Sequence, residues 1–385
     1  MTSRRSLPRR EFLQSVCAAG LAPSAAAAFA QPPAAQTSPA APAAKSTSKF
    51  QGSKPLPPLP EGAFTVVVIP DTQHYVGART KRTPDDTTTP VTNPHLEAQV
   101  RWIREHAADQ NIAFVSHVGD IVDEDDDAQW AVAKQHLDTL RGVVPFGLTV
   151  GNHDMSTKGN AHLFQQAFPA ASFRQYPWYL GCYEHERADQ RVSADNVNSA
   201  QLFTAGGLEF LFLHLECNAP DDVLAWADGL LTKYADRRAL ITTHMDLGIR
   251  DKPKTKEGYI HDPKGRMRWV KIHGPRGNTA EQLWDKLFRK HANIGLIFCG
   301  DQSRVTALRL TTPADDGHPV TSLLSDYMSE PVLRLCRFVP SADRVDVLSW
   351  HVTQEFLIER SNYVPDLAQH QFSLPYDLKP KSAAR

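Results

Sequence analysis

The sequence predicts an α/β fold: two β-sheets stacked face to face with helices on both outer faces, an α/β/β/α sandwich. Three observations predict it. Between residues 64 and 150, runs of β-branched and apolar residues alternate with stretches of helical periodicity, the pattern of parallel strands joined by helical crossovers. From about residue 201, β-rich runs joined by turn residues, beginning at Gly206-Gly207, read as added antiparallel strands. Several apolar runs also end in polar residues of the same few kinds, as strands do when one edge of a sheet holds a ligand site.

The elements follow in order. Residues 1–30 read as an export leader. Arg9-Arg10-Glu11-Phe12-Leu13 is a twin-arginine pattern, a short apolar stretch follows, and Ala28-Phe29-Ala30 is a small-x-small cleavage site. Export by that route implies a periplasmic or secreted protein, with no transmembrane anchor left after cleavage. Residues 31–62, rich in Pro, Ala, Ser and Thr, cannot bury a core and are expected to be a disordered linker. The folded domain is expected over 63–378, with a tail at 379–385. Its first part reads as strand 65–70, helix 95–110 with Asn93 near its start, strand 112–118, helix 127–141 capped by Asp127, and strand 145–150. Strands at 201–205 and 208–215, a helix at 221–234 and a strand at 239–243 come next. Residues 245–278 are polar, basic and irregular, too long for a simple connection, and read as a lid-like insertion. A helix at 279–290 and strands at 294–299, 305–310, 320–324, 332–338 and 345–350 complete the domain.

The formal net charge is −1, and the leader residues Arg4, Arg5, Arg9, Arg10 and Glu11 carry a net +3, so the remainder carries −4. A mildly acidic body without a basic run argues against long nucleic acid as the main partner. The spacing of Cys182, Cys217, Cys299 and Cys336 fits no zinc ribbon or redox pair.

The chemistry lies at the strand ends. They carry Asp71-Thr72-Gln73, Gly119-Asp120-Ile121-Val122-Asp123, Gly151-Asn152-His153-Asp154, Thr243-His244 and Gly300-Asp301-Gln302. Carboxylates gathered there would repel one another and suffer desolvation, and a divalent cation removes both problems. An oxygen-rich donor set favours Mn, Fe or Mg, with Zn and Ca as alternatives. His74 should point away from Asp71 and Gln73 in an extended segment. Asp125–Asp127 read as a solvated loop and helix cap. His261 and His273, in the insertion, are weaker candidates for ligands.

This set resembles the calcineurin-like metallophosphoesterases, whose motifs run D-x-H, G-D-x-x-D, G-N-H-D/E, a later H, and G-H-x-H. "GDIVD" and "GNHD" match in full and in order, and His244 fits the later histidine. The resemblance implies two divalent ions. Asp71 would bind the first, with Gln73 offering an amide oxygen. Asp120 would bridge both, and Asn152 and His244 would bind the second. His153 would sit over the substrate and stabilise or protonate the leaving oxygen, while Asp123 and Asp154 would orient the site. The expected activity is hydrolysis of a small phosphate ester by a metal-activated water. The sequence departs from the family at two places. D-x-H reads Asp71-Thr72-Gln73, as in a D-T-Q branch of the superfamily, and G-H-x-H reads Gly300-Asp301-Gln302-Ser303. Asp301 retains a donor; Ser303 is a poor one. The loss of both histidines leaves a second reading, a metal- or phosphate-binding protein on a degenerate phosphoesterase scaffold.

Overall fold

The computed structural model describes residues 49–184 and 192–378. The leader, residues 31–48 of the linker and the 379–385 tail lie outside the described residues. Two seven-stranded sheets form the body. In the first, Phe64–Ile69, Ile112–His117 and Phe146–Leu148 run parallel, Val332–Val339 pairs antiparallel with Phe64–Ile69, and Arg344–His351 pairs antiparallel with Val332–Val339. In the second, Leu208–Leu215, Arg238–Thr243, Ile294–Cys299 and Pro319–Ser325 are parallel, with antiparallel strands at both edges.

Side-chain alternation builds the layers. Val66 and Val68 point into the space between the sheets, where they meet Phe114, Phe210, Phe212, Phe298 and Phe338. Val67 and Ile69 point outward onto Leu96, Val100 and Ile103 of the Pro94–Glu105 helix and Trp130, Ala133 and Leu137 of the Asp127–Leu137 helix. The outer face of the second sheet is covered by Val223, Leu224, Ala227 and Leu231 of the Asp221–Lys233 helix. Burial on both faces is why the first strand is a continuous apolar run. The α/β/β/α sandwich expected from the sequence is the observed fold.

The differences have local causes. The chain docks earlier than its composition implies. Phe50–Gln51 pairs with Arg360–Ser361, and the carbonyls of Pro57 and Pro58 accept hydrogen bonds from buried Arg337 at 2.8 and 3.2 Å. The disordered linker expected over 31–62 is therefore corrected over its last part, from residue 49. The second helix is capped by Asp126, whose side chain accepts from Gln129 N, rather than by Asp127. The 245–278 insertion is anchored. Its strands Leu247–Ile249 and Lys264–Arg266 pair with each other, and buried Arg266 Nη1 donates to both oxygens of Asp246 at 2.7 and 2.9 Å and to Ser322 Oγ of the second sheet at 3.2 Å.

Candidate metal centre

The parallel register aligns the carboxyl ends of the strands, and backbone hydrogen bonds tie the following loops together. Thr72 N donates to Asp120 O at 3.0 Å, Thr149 N to His117 O at 3.1 Å and Gly300 N to His244 O at 2.9 Å. The motif glycines let the loops meet. A Cβ on Gly151 would lie 2.2 Å from Asp120 Oδ1, and one on Gly300 would lie 2.1 Å from Asp71 Oδ1.

Among the described residues, Asp71, Asp120 and His244 bring one ligand atom each within 4.8 Å of one another, all buried. His244 Nδ1 donates to Val118 O at 2.9 Å, so Nε2 is the ring atom turned to the carboxylates, 3.1 Å from Asp120 Oδ1. Two buried donor atoms here lack any hydrogen-bond partner: Asp71 Oδ1 and His244 Nε2. Electrostatics match this geometry. Burial, and then the charge of Asp326, push the Asp71 carboxyl well above its ordinary range. Burial would lower His244, but Asp120, Asp301 and Asp71 draw a proton to it and raise it well above the usual imidazole value. Burial would raise Asp120, but His244, followed by His153 and Lys271, holds it low. A field that attracts a proton to this degree also attracts a cation. Orphaned oxygen and nitrogen atoms converging on one point therefore fit a divalent metal.

The remaining residues named from the sequence are placed as follows. Gln73 turns its amide nitrogen to Asp120 Oδ2 at 3.0 Å, so it positions that carboxylate instead of presenting an oxygen. The physical reason is that an ionised carboxylate only accepts. His153 N donates to Asp120 Oδ1 at 2.9 Å, and its ring Nδ1 donates to the Asp123 carbonyl at 2.8 Å. Asp123 thus holds His153 through its backbone, and its own carboxylate takes Lys81 at 3.0 Å. Asp154 is fully buried and joins two motif loops, accepting from Val122 N at 3.0 Å and Gly151 N at 2.7 Å. Burial and the charge of Asp120 push it up to about 7. Asn152 and Asp301 both accept from the ammonium of Lys271, and Asp301 also borders the Asp71–Asp120–His244 cluster, its N donating to Asp71 Oδ2 at 3.2 Å and its Oδ1 lying 3.7 Å from His244 Nε2. Ser303 is exposed. His74 packs on His95 with ring centroids 3.6 Å apart. His273 is buried against Glu216 at 3.0 Å, and His261 is exposed. All four cysteines among the described residues are unpaired.

Sequence reasoning missed two participants. Asp326 follows the apolar strand Pro319–Ser325, so the rule that found the other strand ends applies to it as well. Its Oδ2 is buried without a partner, and burial, Asp301 and Asp120 raise it to about 6 despite a backbone hydrogen bond from Met328. The next three residues, Tyr327, Met328 and Ser329, all hold positive φ, at 54°, 56° and 56°. That conformation costs roughly 1–2 kcal/mol per residue and persists where surroundings enforce it. Here Ser329 Oγ accepts from Gln73 N at 3.1 Å, which braces the Asp71 loop. The other participant is Lys271, inside an insertion that carries no motif.

Strands of two stacked sheets that deliver carboxylates and an imidazole to one cation locus define an α/β metal-centre scaffold. The chain belongs to the calcineurin-like phosphoesterase family, whose profile it matches over residues 64–305. The uncharacterized protein YvnB of Bacillus subtilis (strain 168) is 25% identical over 343 residues, covering 85% of this chain and 22% of its own length. The chain therefore spans about a fifth of that curated relative. Among solved structures, it is similar to a 5'-nucleotidase precursor from Thermus thermophilus, with TM-score 0.44, 11% identity, and coverage of 77% of this chain and 53% of that one. It is also similar to the NAD nucleotidase of Haemophilus influenzae, with TM-score 0.41, 11% identity, and coverage of 78% and 49%. GAP50 of Plasmodium gives TM-score 0.41 at 9% identity, with coverage of 78% and 90%. Among the described residues, no helix is long and apolar enough to cross a membrane.

Proposed function

We propose that this chain is an exported, metal-dependent phosphoesterase acting on a small phosphate ester. The observation that carries the reading is the pair of partnerless buried atoms, Asp71 Oδ1 and His244 Nε2, gathered with Asp120 beside His153. A divalent ion held by Asp71, Asp120 and His244 would polarise a phosphoryl oxygen and acidify a water near neutral pH. The chain supplies the rest. Gln73 and the His153 amide fix the Asp120 carboxylate from both oxygens. The Asp123 carbonyl, itself held by Lys81 Nζ at 2.6 Å, keeps a proton on His153 Nδ1 and leaves Nε2 to meet the substrate. The His153 side chain is 36% exposed, so a ligand arriving from solvent reaches it. As an imidazolium it gives its Nε2 proton to the departing oxygen as the P–O bond breaks. The twin-arginine leader supports export.

The test is hydrolysis of an aryl phosphate monoester and diester by metal-stripped protein, with Mn, Mg, Fe, Ca or Zn added back. Turnover should return with metal and fall about 10²- to 10⁴-fold in His153→Ala. The second reading, a binding protein on this scaffold, is favoured by one observation, the engagement of Asn152 and Asp301 by a lysine. Tight metal binding with no turnover of either ester would establish that reading instead.

A further inference from the structure

Family resemblance assigns Asn152 to a second divalent ion, and Asp301 retains a donor where the family has histidine, yet both oxygen donors face a side chain of the protein itself. Lys271 Nζ donates to Asn152 Oδ1 at 3.0 Å and to Asp301 Oδ1. The lysine is held in place by its backbone. Buried Asn218 accepts through Oδ1 from Lys271 N at 2.8 Å and Ile272 N at 3.2 Å, and its own Nδ2 donates to Asn278 O at 2.9 Å. His273 N donates to Thr157 O at 2.9 Å, and Ile272 is buried. The base of the insertion is thus clamped at Lys271 and the two residues after it, and the ammonium is directed at the strand ends. Meanwhile His244, which the resemblance places on the second ion, converges with Asp71 and Asp120 on a single locus, and the Asp301 Oδ1 that Lys271 engages lies at its edge, 3.7 Å from His244 Nε2.

We propose that the ammonium of Lys271 takes the place of the second metal, so that each chain holds one divalent ion, at Asp71, Asp120 and His244. The inference rests on the phosphoesterase reading and deepens it. An ammonium has three N–H donors and no acceptor. Two of them satisfy Asn152 and Asp301, which leaves one for a phosphoryl oxygen of the substrate. The Lys271 side chain is 30% exposed while Asp301 is 1% exposed, so the charge is buried on the protein side and open on the ligand side. A fixed lysine also explains why this chain dispenses with the G-H-x-H histidines: Asp301 pairs with a cation that needs no imidazole, and Ser303 faces solvent.

The experiment counts metal in the full chain. Stripped protein is loaded with excess Mn²⁺, freed of unbound ion, and assayed by elemental analysis and by electron paramagnetic resonance. One ion per chain with the spectrum of an isolated Mn²⁺ is expected. Two ions with an exchange-coupled spectrum would overturn the proposal while leaving the phosphoesterase reading intact, whereas no ion on folded protein would remove both. In Lys271→Met, Asn152 and Asp301 are released, and the count should rise to two with a coupled spectrum. A folded Lys271→Met chain that still binds one ion would overturn the assignment of the second position to Lys271. The wild-type spectrum decides the ion count even where that variant fails to fold.

Discussion

At the residue scale, the centre depends on how closely backbone approaches carboxylate. Gly300 follows the Ile294–Cys299 strand, and any β-carbon there would stand 2.1 Å from Asp71 Oδ1, a buried atom without a hydrogen-bond partner. Gly300→Ala should therefore displace Asp71 while leaving the rest of the strand intact. Mn²⁺ affinity measured by titration calorimetry should weaken by about 10- to 100-fold, the usual effect of disturbing a group beside a metal ligand. An unchanged Kd would show that Asp71 Oδ1 is no ligand. Most of these residues were legible in the sequence because each follows an apolar strand within six residues, where a short motif fixes both its order and its spacing. Lys271 was not. It reaches Asn152 and Asp301 from a segment far from either in sequence, and its placement depends on the Asn218 clamp, which has no periodicity to read. Gln73 was legible as a site residue, but its direction was not, because only the neighbouring carboxylate decides which end of an amide turns inward.

At the scale of elements, Asn93 connects helix and site. Its Oδ1 accepts from Leu96 N at 3.0 Å as the cap of the Pro94–Glu105 helix, while its Nδ2 donates to Thr72 O at 2.6 Å. Asn93→Ala should lower stability by about 1–2 kcal/mol in urea denaturation, from the lost cap and an unpaired buried carbonyl. Asn93→Asp keeps the cap and removes the donor to Thr72. It should leave helix protection unchanged while amide exchange at residues 71–73 quickens. Equal exchange in wild type and Asn93→Asp would mean that the cap alone matters. The strands and main helices were readable because burial on one or both faces imposes a period on the side chains. The docking of residues 49–62 was not. Buried Arg337 needs acceptors, and Pro57, Pro58 and Gln110 supply them, two through the main chain, which composition does not report.

At the scale of the whole molecule, the two sheets are joined by polar groups as well as by the apolar layer. Ser116 Oγ, in the first sheet, lies 3.0 Å from His214 Nε2 and 2.7 Å from Thr242 Oγ1 in the second, and His214 Nδ1 donates to Gln201 Oε1 at 2.8 Å. This chain of bonds suits a neutral imidazole. Burial, and then the nearby His117, depress the His214 pKa to about 3; burial and His244 do the same to His117. In the unfolded chain both rings titrate near 6.5. Between those limits the unfolded state binds more protons, so the stability these rings contribute is full above pH 6.5 and is lost as pH falls toward 3. The slope is up to about 1.4 kcal/mol per pH unit for each ring. Carboxyls raised by burial, such as Asp154 at about 7 and Asp326 at about 6, bind more protons in the folded state and act in the opposite sense over part of that window. The total slope therefore mixes signs, and a difference isolates the ring. His214→Gln removes the titrating group and keeps hydrogen-bonding atoms between Ser116 and Gln201. Thermal melts of both proteins from pH 8 to pH 5 should show a smaller acid-side fall of Tm in the variant, with the two curves drawing together as pH drops below 6.5. Parallel curves would mean that His214 gains its proton without cost in the folded protein, and that the contact between the sheets tolerates a charge.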